Sequence, residues 1–134
     1  MRKIMFIMVC ICSILCFEGI TASAYYSATP SWSKKWYSSD VTFTATTTGD
    51  NTAIGYYVFA YATLNESKNG RVLAYGSRQT NYVSQLGVAT ISSSASYNNK
   101  KAKYGYAEYG LSTDSSGKNK EPGKHISMWY QNFN

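Results

Sequence analysis

Apolar and polar residues alternate along short segments of this chain, and turn-forming residues separate the segments. Residues 41–48 show the pattern best, because Val41, Phe43 and Ala45 face one way while threonines face the other. No segment after residue 24 shows a sustained helical period. Strands that follow one another without crossover helices pair antiparallel. The pattern therefore predicts an all-β chain of antiparallel sheets.

The alternation predicts six strands and favours a seventh within residues 25–37. The segment 54–63 is apolar on both faces, which is typical of a central strand. Asn69-Gly70 is a strong hairpin signal and predicts that 54–63 pairs with 71–78. We expect a single domain over residues 25–134 with the architecture of a β-sandwich, a small barrel being the alternative. The other predicted strands are 41–48, 87–97, 102–109 and 125–133, with a long loop over 110–123.

Residues 1–24 have the form of a secretory signal peptide. Arg2 and Lys3 precede an apolar stretch, 4–17, and Ala22-Ser23-Ala24 is a small-residue cleavage site. The apolar stretch is shorter than the roughly 20 residues of a spanning helix, so cleavage is favoured over an uncleaved anchor or a lipid attached to Cys16. We expect Sec-type export from a Gram-positive bacterium and an extracellular protein.

Removal of the leader would also remove every cysteine of the chain, Cys10, Cys12 and Cys16. A cysteine-free chain with the single histidine His125 has no zinc site of the usual kind. The carboxylates stand mostly in predicted turns, and no nucleophile elbow or phosphate-binding loop is present. We therefore predict a protein that is not an enzyme and uses no metal and no cofactor.

Charge and aromatic residues indicate action by contact. The leader carries two cations and one anion, so its removal changes the formal net charge from +6 to +5. Basic secreted proteins associate with anionic walls and membranes, whereas nucleic acid is a rare partner outside the cell. The lysines form two compact clusters, 34–35 and 100–103, and a looser group at 118–124. Solubility of loops and strand edges is the alternative explanation for each cluster.

The aromatic-basic segment 32–37 is the first candidate binding site. Aromatic rings with adjacent cations suit a lipid headgroup boundary or an anionic polymer. The alternative is that the two tryptophans close one end of the sandwich. Tyrosine-rich strands supply further candidates, which could equally form the second buried face of a central strand. The candidate binding residues are Trp32, Lys34, Lys35, Trp36, Tyr37, Tyr57, Tyr61, Trp129 and Tyr130.

The chain ends in Ser127-Met128-Trp129-Tyr130-Gln131-Asn132-Phe133-Asn134, an aromatic–x–Asn–Phe pattern. With the leader and the cysteine-free basic domain, this ending resembles the lactococcin 972 family of secreted bacteriocins. The resemblance implies a β-sandwich that inhibits septum formation through the cell-wall precursor lipid II. We expect a bacteriocin-like protein whose partner is a cell-wall component or the membrane surface of bacteria. The alternative is a non-toxic module that binds glycans or cell wall, or that self-associates through its exposed strands.

Overall fold

The computed structural model describes the backbone of residues 21–22 and the whole of residues 25–133. The remainder of the predicted signal peptide, including its cysteines, lies outside the described residues. The described chain folds into two antiparallel sheets packed face to face, which confirms the predicted all-β sandwich. Its strands are β1 (Thr21–Ala22), β2 (Tyr26–Lys34), β3 (Asp40–Gly49), β4 (Tyr57–Asn65), β5 (Val72–Tyr75), β6 (Gln79–Tyr82), β7 (Ala89–Asn98), β8 (Tyr104–Ser112) and β9 (Lys120–Gln131).

We call the two layers sheet A and sheet B. Sheet A has the strand order β1-β2-β3-β7, and sheet B has the order β5-β4-β8-β9. The short strands β5 and β6 pair with opposite halves of β4, while β8 pairs with its full length. Strand β4 is therefore central in its sheet, as its two apolar faces predicted.

The outer face of sheet A is made of serine and threonine. Along β3 and β7, paired hydroxyls hydrogen-bond across the strands, from Thr42 with Ser96 at 2.6 Å to Thr48 with Thr90 at 3.0 Å. Their backbone neighbours on the other face, such as Val41 and Phe43, are fully buried. The threonine alternation of this segment thus separates core from solvent, because successive side chains of a strand point to opposite faces.

The core lies between the sheets. Phe43 of β3 and Leu64 of β4 are fully buried, as is Tyr109 of β8. Burial of each such side chain stabilises the fold by roughly 1.5–3 kcal/mol. The ring of Phe43 lies directly on Gly105, where a Cβ would stand 2.7 Å from the ring. Glycine at this position lets the two sheets approach.

Small inward side chains of β7 allow a second close approach. The Ser93 hydroxyl donates to the Ser77 carbonyl at 2.6 Å and accepts from the Ala62 amide at 3.2 Å. A Cβ on Gly76 would stand 2.5 Å from the same hydroxyl. Ser93 therefore joins β7 of sheet A to β4 of sheet B.

Several predicted boundaries differ from the structure. Residues 54–56 were expected to begin a strand. A 3-10 turn at Asn51–Ala53 precedes them instead, and β4 starts at Tyr57, three residues after the expected start. The expected loop 110–123 is only 113–119, because β8 continues to Ser112 and β9 begins at Lys120. Strand β9 accommodates Pro122 because an edge strand does not need every N–H. The short strands β1 and β6 are the two beyond the seven expected, and the predicted strand 71–78 is shorter in the structure, where β5 spans Val72–Tyr75.

Within the described part of the chain, no helix has the length and apolar character needed to cross a membrane.

Candidate functional site

Four segments that are distant in sequence meet at one end of the sandwich. They are the turn 35–39 between β2 and β3, the loops 66–71 and 99–103, and residues 132–133 after β9. Hydrogen bonds join them: the Asn99 amide donates to the Ser39 carbonyl at 2.9 Å, and the Asn132 amide donates to the Lys103 carbonyl at 2.8 Å. We call this surface the basic end.

The basic end carries a dense group of exposed cations. Asp40 and Glu66 are the carboxylates nearby, and neither forms an ion pair with these cations within the described residues. The topology therefore brings two lysine clusters that are separate in sequence onto one surface, where they are joined by the β4–β5 loop. The exposed cations are Lys34, Lys35, Lys68, Arg71, Lys100, Lys101 and Lys103.

Exposed aromatic side chains project from the same end. Trp36 is 92% exposed and Tyr37 is 67% exposed, and their rings meet edge to face with centroids 5.6 Å apart. The turn that carries them is closed by a hydrogen bond from the Ser38 amide to the Lys35 carbonyl at 3.1 Å. The Lys35 ammonium lies 5.7 Å from the centre of the Tyr37 ring. Phe133, at the end of the chain, is also largely exposed.

Trp32 does not belong to this exposed group, although it lies in the same sequence segment. It faces inward from β2, and its ring centre is 4.7 Å from that of Phe43. The alternation of β2 explains the division, since Trp32 precedes the turn and still obeys the strand period. The position of Trp32 therefore agrees with the alternative in which a tryptophan closes one end of the sandwich. The position of Trp36 does not, because its side chain is exposed.

The third lysine group lies elsewhere, and two of its members, Lys120 and Lys124, have local partners while Lys118 is exposed. Lys120 and Arg78 both form ion pairs with the buried carboxylate of Glu108. Lys124 lies between two tyrosine rings, with its ammonium 4.2 Å from the centre of Tyr25 and 4.8 Å from the centre of Tyr56. Arg78, Lys120 and Lys124 stabilise the fold locally, whereas the cations of the basic end form no ion pair within the described residues, and Lys35 lies near one ring, that of Tyr37.

A groove on the outer face of sheet B adjoins the basic end. Tyr61 of β4, Tyr106 of β8 and Trp129 of β9 line it, together with residues of the β4–β5 loop. The Tyr106 and Trp129 rings have centroids 4.8 Å apart at an angle of 44°. The groove is shallow and largely open to solvent, has a volume of about 300 Å³, and is completed by Thr63, Asn65, Asn69, Gly70 and Val72.

A charged network supports one side of the groove. The Arg78 guanidinium lies 4.7 Å from the centre of the Tyr61 ring and donates to Glu108 at 2.9 Å. Burial raises the pKa of the Tyr61 hydroxyl, and the Arg78 charge opposes this shift. The hydroxyl is therefore neutral at physiological pH and can both donate and accept a hydrogen bond.

The remaining predicted site residues lie apart from both surfaces. Tyr57 is on the outer face of sheet B at the opposite end, where it packs edge to face on Tyr82. Tyr130 points into the core, 5.6 Å from the ring of Phe43. The structure thus brings Lys34, Lys35, Trp36 and Tyr37 together, places Tyr61 and Trp129 in the groove, and separates Trp32, Tyr57 and Tyr130 from them.

Sequence reasoning did not assign Tyr106 or Asn69 to a site. The alternation of β8 carried a signal for Tyr106, but its proximity to Trp129 depends on strand pairing across 23 residues of chain. Asn69 was read only as a turn residue, and it does adopt the left-handed conformation with a φ of 61°.

Among the residues that the structure describes, no group of histidine and carboxylate side chains could hold a metal ion. No family model, no curated protein and no solved structure matches this chain.

Proposed function

We propose that this chain is a secreted, bacteriocin-like protein that acts by contact at the bacterial envelope, docking its basic end on an anionic membrane surface. The observation that carries the proposal is the convergence of seven exposed cations with Trp36, Tyr37 and Phe133 at one end of the sandwich.

Electrostatics supports docking through this end. Each Lys or Arg near an anionic membrane surface contributes on the order of 1 kcal/mol. The cations of the basic end keep their charge unpaired within the described chain, so that little existing interaction is lost on binding. Arg78 and Lys120, by contrast, form ion pairs with Glu108 and would contribute less to membrane binding.

The aromatic residues add a second contribution. Tryptophan and tyrosine favour the headgroup region because each ring is apolar and carries a polar atom. Trp36 is the most prominent, since it stands at the turn with 92% of its surface exposed. Contact of so large an apolar surface with water is unfavourable, and partial burial of the side chain in a lipid interface reduces that contact.

Vesicle sedimentation tests the docking step. Residues 25–134 are expected to bind vesicles of phosphatidylglycerol and phosphatidylcholine, to bind phosphatidylcholine alone weakly, and to be released by salt. Trp36→Ala should weaken binding several-fold. Leu86→Ala is the matched control, because Leu86 is 93% exposed at the opposite end and should not matter. Lys101→Gln and Lys118→Gln form a second pair, in which only the first should reduce binding.

A plate assay tests the toxic consequence separately. The purified domain, spotted on lawns of Gram-positive bacteria, should produce zones of inhibition that Trp36→Ala diminishes. Vesicle binding without any zone would contradict the bacteriocin proposal and favour the non-toxic binding module. Equal binding to anionic and zwitterionic vesicles would contradict docking through charge.

A further inference from the structure

The groove on sheet B has an aromatic floor with unused polar atoms. The Trp129 indole N–H and the hydroxyls of Tyr61 and Tyr106 have no hydrogen-bond partner among the described residues, nor has the Asn69 amide. By contrast, Asn65 is occupied: its oxygen accepts from Thr63 at 2.7 Å and its amide donates to the Gly70 carbonyl at 3.1 Å. Asn65 therefore holds the wall of the groove, while the four unused groups face an occupant or water.

The lining of the groove is uncharged. Its eight residues contain no carboxylate, ammonium or guanidinium group, and tyrosine is neutral at physiological pH. The neighbouring Arg78 is engaged with Glu108 and with the ring of Tyr61. A neutral occupant is complementary to such a surface, whereas an anion would lack a counter-charge within the groove.

We propose that this groove binds a pyranose ring of a neutral saccharide. The C–H bonds on one face of a pyranose form an apolar patch that stacks on aromatic rings, and its hydroxyls at the rim require both donors and acceptors. The Tyr106 and Trp129 rings supply the stacking surface. The indole N–H, the tyrosine hydroxyls and the Asn69 amide supply the polar partners.

The dimensions agree with this ligand class. A volume of about 300 Å³ is at the lower limit of small-molecule sites, which suits one or two sugar rings better than a folded peptide. None of the seven exposed cations lines the groove, nor do Trp36, Tyr37 and Phe133, although its Asn69 and Gly70 belong to the loop 66–71 of the basic end.

Oligosaccharide titration tests the proposal, with cellohexaose, chitohexaose and maltohexaose as probes and tryptophan fluorescence and calorimetry as readouts. At least one probe should bind saturably, and Trp129→Ala and Tyr106→Ala should each weaken that binding about tenfold, the loss of roughly one aromatic contact. Tyr82→Ala is the control, since Tyr82 is half exposed at the other end of the same sheet and should leave binding unchanged.

A further variant separates binding from folding. Asn69→Gly removes the amide but keeps the left-handed turn, which glycine adopts without strain, so the fold should be retained while saccharide binding weakens. Binding of none of the three probes by the wild-type domain would overturn the proposal, as would an equal loss in Tyr82→Ala. Vesicle binding by Trp129→Ala or Tyr106→Ala should remain at the wild-type level. Saccharide binding and membrane docking are thus tested by different measurements, and the failure of one proposal can be told from the failure of the other.

Discussion

The hydroxyl of Tyr109 donates to the hydroxyl of Tyr130 at 3.2 Å, in the core between the two sheets. Tyr130 in turn donates to the Met128 sulfur at 3.3 Å. Burial raises the pKa of both phenols, most strongly for the fully buried Tyr109. The folded protein therefore favours the neutral, protonated form of both phenols.

This pair predicts alkaline destabilisation. A phenol whose pKa is higher in the folded state contributes stability that is fully present below its unfolded pKa of about 10 and is lost as pH rises toward the folded value. Urea unfolding of the wild-type domain should show a falling midpoint above about pH 10. The double variant Tyr109→Phe/Tyr130→Phe should be less stable at neutral pH and should lose less stability at high pH. An unchanged alkaline loss in that variant would contradict the assignment.

Removal of Glu108 should destabilise the domain. Its side chain is 9% exposed and its carboxylate pairs with Arg78 and Lys120, so Glu108→Ala would leave two partly buried cations without a counter-charge. We expect a loss of roughly 1–3 kcal/mol, less than for a fully buried pair because both cations retain some contact with water. Chemical denaturation measures it, and Glu66→Ala, at an exposed carboxylate, should change stability by no more than about 0.5 kcal/mol.

The same substitution should loosen the β8–β9 loop. Arg78 also donates to the Gly117 carbonyl at 3.3 Å, and the Thr80 hydroxyl donates to the Ser115 carbonyl at 2.8 Å. Without Glu108 the guanidinium is no longer held in place, so the loop 113–119 should be cleaved faster by a nonspecific protease. Cleavage at the wild-type rate would show that the loop is held independently of the ion pairs.

Neighbouring serines of β7 should respond very differently to substitution. Ser93→Ala removes a buried hydroxyl that serves the Ala62 amide and the Ser77 carbonyl, and should cost about 1–3 kcal/mol. Ser94→Ala removes an exposed hydroxyl paired with Thr44, where water can replace the bond, and should cost about 0.5 kcal/mol or less. Thermal denaturation of the two variants gives the comparison. Equal effects would contradict the role of Ser93 as a link between the sheets.

A Cβ at residue 105 should clash with the core. Gly105→Ala places a methyl group within 2.9 Å of three ring atoms of Phe43, which should cost about 1–3 kcal/mol through overpacking. Phe43→Leu in the same chain should recover part of that loss, because the two positions share one contact. Denaturant titration of both single variants and the double variant measures the coupling. Strict additivity would show that the ring does not lie on Gly105.

Local pattern predicted most of the strands because alternation depends only on neighbouring residues. The segment 41–48 illustrates this: its inward Val41 and Phe43 and its outward threonines are where the period of two places them. The same reasoning gave wrong boundaries at 54–56 and 110–123, where the end of a strand depends on which partner is available. The Ser112–Lys120 pairing that shortens the loop cannot be read from either segment alone.

For the candidate surfaces, the sequence by itself determined the composition, with excess cations and many aromatic rings, and the adjacency of Lys34, Lys35, Trp36 and Tyr37 in one segment. Only the tertiary structure decided that Trp32 faces the core and that the lysines of 100–103 join those of 34–35. It alone places Tyr106 beside Trp129. The physical reason is that composition and alternation are local properties, whereas a binding surface depends on strand order and register, which the packing of the whole chain selects.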